Sequence, residues 1–357
     1  MRNHLPALAL LLLGLMLLSA CGLPVAPAST ATPTAQPSLQ GTLPPTAAPT
    51  VVPTLVPTLV PTRWPTVRPT ATPTPLPTPT PVPYGVIARQ HLVDLSEGIG
   101  RREPGSPEEA MAGRYVAAQF AAYGYATQVQ AFIFFYWDGI ERGSANVIAV
   151  KPGESPREII VGAHYDSTGP GKGADDNASG VAVMLEVASR LRDVQTPYTI
   201  RFIAFGAEEV GLDGSHYYVG QMDDAAIRNT VGMINLDSLV AGEIPYVYGD
   251  AGEGMLRDWL VARAEELGLE VDTRTAPQLD GPDGTPCDCA DYDAFQEVGI
   301  PFAYFEANNW SLAQDEWAVW HTANDTLVYL EATRPGRVDK HLATFAQLLY
   351  DVLVYYR

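Results

Sequence analysis

The sequence predicts an α/β fold in which helices cover both faces of a central, mainly parallel mixed sheet, giving three layers. Two observations carry this prediction. Short apolar runs recur along residues 85–357, and stretches with helical periodicity separate them. Strands that are apolar on both faces are typical of parallel sheets, and parallel strands need crossover helices between them.

The N-terminal part of the chain differs in composition from the rest. Residues 22–83 contain 18 Pro and 15 Thr among 62 residues, and no Asp or Glu occurs before residue 85. Proline at this density prevents a packed core and favours an extended polyproline II conformation. We therefore expect a disordered Pro/Thr-rich stalk over residues 21–84 and one folded domain over residues 85–357.

Residues 1–20 have the pattern of an export signal. Arg2 precedes an apolar run, 8–18, that is too short to span a membrane. The following string Leu18-Ser19-Ala20-Cys21 resembles the lipobox of bacterial lipoproteins, in which cleavage precedes the cysteine and its sulfur is acylated. The alternative is an ordinary signal peptide that ends near a chance cysteine. The lipobox interpretation predicts a lipid on Cys21 and an extracytoplasmic protein anchored to the bacterial cell membrane.

The folded part is strongly acidic. All 41 acidic residues of the chain lie in residues 85–357, and the whole chain has a net charge of −19 at pH 7. This charge disfavours nucleic acid and anionic membranes as partners, so the membrane is expected to be contacted through the lipid only. It suits a substrate with a positive charge, such as a free amine, and it would equally keep an extracellular domain soluble.

The elements of the domain follow in order. Ser106 and Glu109 form a capping box with Pro107 at the first helical position, which predicts a helix that Gly124 ends. Strands are predicted over residues 146–150, 158–162, 198–205, 231–236 and 301–305. Further helices are predicted over residues 180–192, 254–267 and 338–355.

Ionisable residues directly follow three of the predicted strands: His164 and Asp166, Glu208 and Glu209, and Asp237. Open α/β sheets bind their ligands beyond the carboxyl ends of the strands, so these side chains are expected at one edge. Two histidines and several carboxylates suit zinc or another divalent metal. A carboxylate can bridge two ions about 3.5–4 Å apart, which can hold a hydroxide and polarise a carbonyl. An unligated carboxylate beside the two ions can act as the general base. Of the adjacent Glu208 and Glu209, one could be this base and the other a metal ligand.

Five motifs together resemble the co-catalytic dizinc aminopeptidases of metallopeptidase family twenty-eight. In order they are His-Tyr-Asp at 164–166, Gly-Ala-Asp-Asp-Asn-Ala-Ser-Gly at 173–180, Glu-Glu at 208–209, Asn-Leu-Asp at 235–237 and His-Thr-Ala-Asn-Asp at 321–325. The resemblance covers essentially all of residues 85–357. It implies a zinc-peptidase-like fold, two Zn²⁺ per chain and the release of N-terminal amino acids from peptides. The expected partners are peptides with a free N-terminus, and the expected state is a monomer.

The resemblance also implies which residues bind the metals. One zinc would be bound by His164 and Asp237 and the other by Glu209 and His321, with Asp176 bridging them.

The remaining roles follow in the same way. Glu208 would be the general base, and Asp166 would accept a hydrogen bond from His164 and orient it. The cis peptide bond of the family would lie between Asp176 and Asn177. Two other acidic residues, Asp175 and Asp325, are interpreted as loop and turn carboxylates.

Some features are not fixed by the family pattern. Family members often have a tyrosine that steadies the oxyanion, and Tyr292 is the candidate here. Cys287 and Cys289 lie where some relatives have a disulfide, and an unpaired dithiol is the alternative. The tryptophans of one aromatic stretch line a substrate pocket or pack in the core: Trp310, Trp317 and Trp320.

Three other functions remain open. A glutaminyl cyclase would use one zinc and lack the ligands of a second, whereas His164, Asp237 and Asn177 are all present. A carboxypeptidase would need a basic group for the substrate carboxylate, for which the candidates are Arg201, Arg228 and Arg274. A tethered, non-catalytic peptide-binding lipoprotein would be expected to have lost a ligand or the base, and none is lost.

Overall fold

The computed structural model describes residues 81–273, 279–280, 286–287, 290–308 and 318–357. The predicted export signal, Cys21 and nearly all of the predicted stalk lie outside the described residues. By their contacts, the described residues belong to one unit. Across the described ranges, no helix combines the length and the apolar character that crossing a membrane requires.

Strands and helices alternate along the described residues. The strands are β1 (Ala126–Phe135), β2 (Glu141–Lys151), β3 (Ser155–His164), β4 (Tyr198–Phe205), β5 (Thr230–Leu236), β6 (Ile244–Gly249), β7 (Asp272–Thr273), β8 (Leu279–Asp280), β9 (Pro286–Cys287) and β10 (Phe302–Asn308). The helices are α1 (Val86–Val93), α2 (Pro107–Ala122), α3 (Gly180–Leu191), α4 (Asp213–Gly220), α5 (Asp224–Asn229), α6 (Leu256–Leu267), α7 (Tyr292–Glu297), α8 (Leu327–Thr333) and α9 (Arg337–Tyr355). Two π-helical segments precede α2 and α3, at Asp94–Ile99 and Ala174–Ser179.

Eight of the described strands form one mixed sheet in the order β1-β2-β4-β3-β5-β10-β6-β7. The four central strands, β4, β3, β5 and β10, run parallel to one another. Strands β1, β2 and β6 join this centre by antiparallel pairing. The predicted mainly parallel mixed sheet is therefore confirmed, and the carboxyl ends of its central strands lie along a single edge.

Helices cover both faces of the sheet. Ile159 and Val161 of β3 belong to a core cluster that includes side chains of α1, α2, α3 and α9. Ile160, between them in sequence, belongs to a second cluster that includes side chains of α4 and α7. Because successive side chains of a strand point to opposite faces, this alternation confirms the three predicted layers.

The helix predicted after Ser106 is present as α2. The Ser106 hydroxyl accepts a hydrogen bond from the Glu109 amide at 3.0 Å, which caps the helix. The helix ends at Ala122, and Gly124 follows with a φ of +89°. Glycine adopts this left-handed conformation without a steric penalty, so the predicted end of the helix is also confirmed.

Residues 82–84, at the end of the predicted stalk, contact the folded domain. Arg190 of α3 donates hydrogen bonds to the carbonyl oxygens of Val82 at 2.9 Å and Pro83 at 2.7 Å. Its guanidinium also lies 4.4 Å from the centre of the Tyr84 ring. The border at residue 85 remains a prediction, and these contacts join residues 82–84 to α3.

Candidate metal centre

The predicted metal ligands come from five segments and meet at the carboxyl edge of the central strands. His164 ends β3, Glu209 follows β4 and Asp237 follows β5. Asp176 lies in the π-helical segment before α3, and His321 precedes α8. The side chain of His321 is 37% exposed, whereas the other four side chains are buried. The cluster is therefore accessible from the side of His321.

Asp176 lies between the two histidines. Its Oδ1 is 3.0 Å from His164 Nε2, and its Oδ2 is 3.2 Å from His321 Nε2. His164 Nε2 is also 3.3 Å from Asp237 Oδ1, and His321 Nε2 is 3.0 Å from Glu209 Oε2. The five side chains thus form two pairs that share Asp176, which is the grouping that the resemblance implies.

Negative charge accumulates in this buried site. Burial raises the pKa of Glu208 well above its ordinary value; His164 lowers it in part, and Glu209 raises it further. Burial likewise raises the pKa of Glu209 to about 7 and moves that of Asp237 upward. For Asp176 the effect of burial is outweighed by hydrogen bonds with His164 and His321, so its pKa is lowered. Buried carboxylates at this density are stabilised by a bound cation.

The donor atoms fit zinc. Among the described residues, His164, Glu208 and Asp237 offer ligand atoms within 4.8 Å of one another, and so do His164, Asp176 and Glu209. Imidazole nitrogens combined with carboxylate oxygens are the ligands of catalytic zinc in hydrolases. The residues present are therefore suited to hold the metal that the sequence predicts.

Asp166 fixes the segment that follows β4. Its Oδ1 accepts a hydrogen bond from the Glu208 amide at 3.2 Å, and its Oδ2 accepts one from the Glu209 amide at 3.1 Å. His164 Nδ1 is 3.6 Å from Asp166 Oδ1, which is longer than a hydrogen bond. At this distance the expected hydrogen bond from His164 is not formed, and both oxygens of Asp166 accept hydrogen bonds from backbone amides.

Two other aspartates connect the remaining loops. Asp325, on the loop that carries His321, accepts hydrogen bonds from the amides of Asp175 at 2.7 Å and Asp176 at 3.2 Å. Asp175 in turn accepts hydrogen bonds from the amides of residues 240 and 241, just after β5, at 2.7 and 2.8 Å. Both residues act as loop carboxylates, as the sequence predicts, and together they hold three ligand-bearing segments in place.

The peptide bond between Asp176 and Asn177 is cis, as the resemblance implies. The Asn177 side chain donates to the Leu236 carbonyl oxygen at 2.8 Å and accepts from the Gly180 amide at 2.9 Å. These two hydrogen bonds connect the segment of Asp176 to the end of β5 and to the start of α3.

A buried arginine supports the site, and the sequence did not predict it. Arg102 is fully buried and donates hydrogen bonds to the carbonyl oxygens of Gly100 at 2.9 Å, Tyr165 at 2.7 Å, Lys172 at 2.8 Å and Gly173 at 2.8 Å. It therefore holds both ends of the loop that joins β3 to the π-helical segment. No local pattern marks such a residue, because three of its four partners are backbone groups 63 to 71 residues away in the chain.

The position of Tyr292 does not support the oxyanion role considered for it. Its ring is buried and stacks on Phe302 with 4.2 Å between ring centroids, and it also packs against Tyr304. Tyr292 is therefore a core residue.

The aromatic and cysteine predictions are described only in part. Trp320 stacks on the His321 ring with 4.0 Å between centroids, so one member of the predicted aromatic stretch lies at the site. Trp310 and Trp317 lie outside the described residues, and so does Cys289. Cys287 belongs to the short strand β9, and its side chain is not described.

The sequence of this chain resembles those of known peptidases. The model of peptidase family M28 matches residues 146–346, more than half of the chain. The alkaline phosphatase isozyme conversion protein of Escherichia coli K12 is 29% identical over 295 residues, which cover 71% of this chain and 85% of that protein. Aminopeptidase YwaD of Bacillus subtilis is 32% identical over 200 residues, 54% of this chain and 41% of that protein. The Mycobacterium tuberculosis protein named probable lipoprotein aminopeptidase LpqL is 31% identical over 215 residues, which cover 54% of this chain and 42% of that protein. The chain thus spans less than half the length of the last two relatives.

Solved structures share the fold. A zinc aminopeptidase from Bacillus subtilis matches with a TM-score of 0.63 at 20% identity, over 77% of this chain and 96% of that chain. A glutaminyl cyclase from Tannerella forsythia also matches with a TM-score of 0.63 at 19% identity, over 78% of this chain and 100% of that chain. The predicted zinc-peptidase-like fold is confirmed, and because a cyclase shares it, the fold alone does not identify the reaction.

Proposed function

Because the chain belongs to peptidase family M28, we propose that it is a metallo-aminopeptidase that uses two zinc ions to release N-terminal amino acids from peptides. The position of Asp176 carries the proposal, since one of its carboxylate oxygens lies near each histidine. In this assignment His164 and Asp237 would hold one zinc, Glu209 and His321 would hold the other, and Asp176 would bridge them.

The protein residues around the metals then have separate roles in the reaction. Bound zinc ions supply a more acidic water and a polarised substrate carbonyl. Glu208 is assigned as the general base, whose carboxylate would take a proton from the attacking water and give it to the leaving amine. Asp166 binds the amides of Glu208 and Glu209, so the base and a metal ligand share one anchor.

Aminopeptidase activity is tested with aminoacyl p-nitroanilides. The purified protein should cleave substrates with a free amine, lose activity to a chelator and regain it with zinc. Substrates with a blocked N-terminus should not be cleaved. Cleavage of blocked and free substrates at equal rates would refute the assignment as an aminopeptidase.

A glutaminyl cyclase is the second candidate, because a solved cyclase shares the fold. The pairing of His164 with Asp237 beside the shared Asp176 favours a second metal and therefore hydrolysis. Metal analysis by mass spectrometry discriminates the two: two zinc ions per chain support the aminopeptidase. One zinc per chain, with cyclisation of peptides that begin with glutamine, would support the cyclase.

Carboxypeptidase activity is less well supported. Arg201 makes two hydrogen bonds of 2.7 Å with Glu158, and Arg228 pairs with Asp224 at 3.9 Å. Arg274, the third candidate for binding a substrate carboxylate, lies outside the described residues. Both described candidates therefore already have acidic partners.

We also propose that the protein is a monomer outside the cell, anchored to the membrane by a lipid on Cys21. The lipobox string ending at Cys21 supports the anchor, and the Pro/Thr-rich segment after it would serve as a spacer. A relative named as a lipoprotein aminopeptidase is compatible with this arrangement. Light scattering on the delipidated protein measures the oligomeric state.

A further inference from the structure

Glu109 of α2 is a buried carboxylate outside the five motifs. In a complete capping box Glu109 would accept a hydrogen bond from the Ser106 amide. That amide instead donates to the Glu103 carbonyl oxygen at 2.9 Å, so this half of the predicted capping box is absent. Glu109 Oε2 instead accepts from the Gly105 amide at 2.6 Å. Its exposure is 2%, and a single cap does not account for placing a carboxylate in the interior.

The second oxygen of Glu109 reaches the segment that carries the proposed base. Oε1 accepts hydrogen bonds from the Ser144 hydroxyl at 2.5 Å and from the Ala207 amide at 3.1 Å. Ala207 directly precedes Glu208 and has a φ of +53°, in the left-handed region. This conformation is unfavourable for a residue with a side chain, so a contact elsewhere must hold it.

The residue before Ala207 restricts the same turn. A Cβ on Gly206 would lie 2.3 Å from the Ser144 hydroxyl oxygen and 2.8 Å from the Tyr165 hydroxyl oxygen. The turn is therefore packed tightly against β2. With the amides of Glu208 and its neighbour bound by Asp166, three consecutive amides after β4 are each held by a buried carboxylate.

We propose that Glu109 is a positioning residue for the reaction: it holds Ala207 in its left-handed conformation and so sets the direction in which the Glu208 side chain leaves the backbone. The inference rests on the proposed function, in which Glu208 is the base. It assigns a role to a helix outside the family match at residues 146–346.

The substitution Glu109→Gln tests this role. The amides of Gly105 and Ala207 both need an acceptor, and a glutamine side chain offers only one oxygen. We expect kcat on an aminoacyl p-nitroanilide to fall roughly 10- to 100-fold, since misplacing a catalytic group by about 1 Å has effects of this size. KM and zinc content should stay within about twofold of the wild-type values, because no metal ligand and no proposed substrate contact is removed.

A control at the same helix end separates positioning from stability. Ser106→Ala removes the cap of α2 and should lower Tm without lowering kcat. Hydrogen–deuterium exchange of the peptide that covers residues 206–210 should speed up in Glu109→Gln and stay unchanged in Ser106→Ala. Unchanged exchange and kcat in Glu109→Gln, or equal changes in both variants, would overturn the proposal.

Two further measurements keep the test decisive. If Glu109→Gln does not fold, Ser144→Ala replaces it, because losing this one donor should loosen Glu109 and give a smaller change in the same direction. If the wild-type protein cleaves no aminoacyl amide, the proposed function fails. The exchange experiment then decides separately whether Glu109 holds the segment after β4.

Discussion

Glu208 and Glu209 are neighbours in the chain but contact different parts of the site. Glu209 Oε1 accepts a hydrogen bond from the Thr168 amide at 3.0 Å, and its Oε2 lies 3.0 Å from His321 Nε2. Glu208 Oε2 is 3.8 Å from His164 Nε2. The left-handed Ala207 and the two amides bound by Asp166 direct the two side chains separately.

Equivalent substitutions at the two glutamates should therefore have different effects. Glu208→Gln should lower kcat by roughly 10²–10⁴-fold, the usual contribution of a general base, with zinc content unchanged. Glu209→Gln should weaken zinc binding by more than the roughly 10–100-fold lost with a residue that only supports a ligand. Activity assays with metal analysis of both variants provide the measurement. Loss of zinc from Glu208→Gln would contradict the assignment.

Arg102 should contribute strongly to stability. Lysine at this position keeps the charge but cannot reach the four carbonyl oxygens, so we expect Arg102→Lys to reduce the free energy of unfolding by about 2–4 kcal/mol. The neighbouring Arg101 is 46% exposed and pairs with Glu103 at 3.2 Å. Arg101→Lys is the matched control and should change the free energy by less than about 0.5 kcal/mol. Urea unfolding measures both, and equal losses would contradict the role of Arg102.

The sequence predicts the proposed ligands better than it predicts the residues that hold them. His164 and Asp237 end or follow apolar strands, and this position alone brings them to the functional edge of the sheet. Arg102 and Glu109 act on backbone groups about 60 to 100 residues away in the chain. Backbone groups are the same at every position, so these partnerships leave no pattern in the sequence.

At the scale of elements, the central strands were predictable and the outer ones were not. The predicted strands became β2, β3, β4, β5 and β10, of which β4 has the predicted bounds. Strand β1 was missed because it lies at the edge and many of its side chains are exposed. Strand β6 was missed because Pro245 lies within it, and proline argues against a strand inside a sheet.

The packing of α1 on α2 includes a buried histidine that stays neutral. His91 Nδ1 is 2.7 Å from the Tyr115 hydroxyl, which donates to Asp94, and His91 Nε2 is 2.8 Å from the Tyr123 hydroxyl. These contacts assign the proton to Nδ1, because the Tyr115 oxygen has already given its hydrogen to Asp94. Burial lowers the pKa of His91 to about 4.

This histidine predicts a loss of stability in acid. The unfolded chain binds a proton below the ordinary histidine pKa of 6.5, whereas the folded chain does not do so until the pH approaches about 4. The contribution of His91 is complete above pH 6.5 and falls between pH 6.5 and 4, by up to about 1.4 kcal/mol per pH unit. Urea unfolding across this range should show a shallower decline for His91→Gln. Parallel declines in the two proteins would contradict the prediction.

At the scale of the whole molecule, negative side-chain charge is confined to the part of the chain after residue 84. All acidic residues lie after residue 84, and the segment before it is rich in proline and threonine. With the proposed lipid anchor, a Pro/Thr-rich spacer without acidic residues would keep the acidic domain at a distance from an anionic membrane surface. The activity of the domain should then not depend on the anchor.

Replacing the proposed lipidation site tests this separation. Cys21→Ser should move the protein from the detergent phase to the aqueous phase in a partitioning experiment, while kcat per molecule stays the same. A mass shift of the N-terminal peptide in the wild type identifies the lipid. Aqueous partitioning of the wild-type protein would instead support an ordinary signal peptide.

The carboxylates that each bind a pair of backbone amides also limit which changes in loop length the protein tolerates. Asp166, Asp175 and Asp325 each bind the backbone of a different loop, so a change in the length of one loop moves the acceptor on which another depends. Insertions at this edge of the sheet are thus tied to one another, unlike insertions in ordinary surface loops. The turn between β1 and β2 is more exposed, with Trp137 at 73% and Ile140 at 60%. Variation in homologous chains should therefore concentrate in such turns, while the lengths of the ligand-bearing loops change only together.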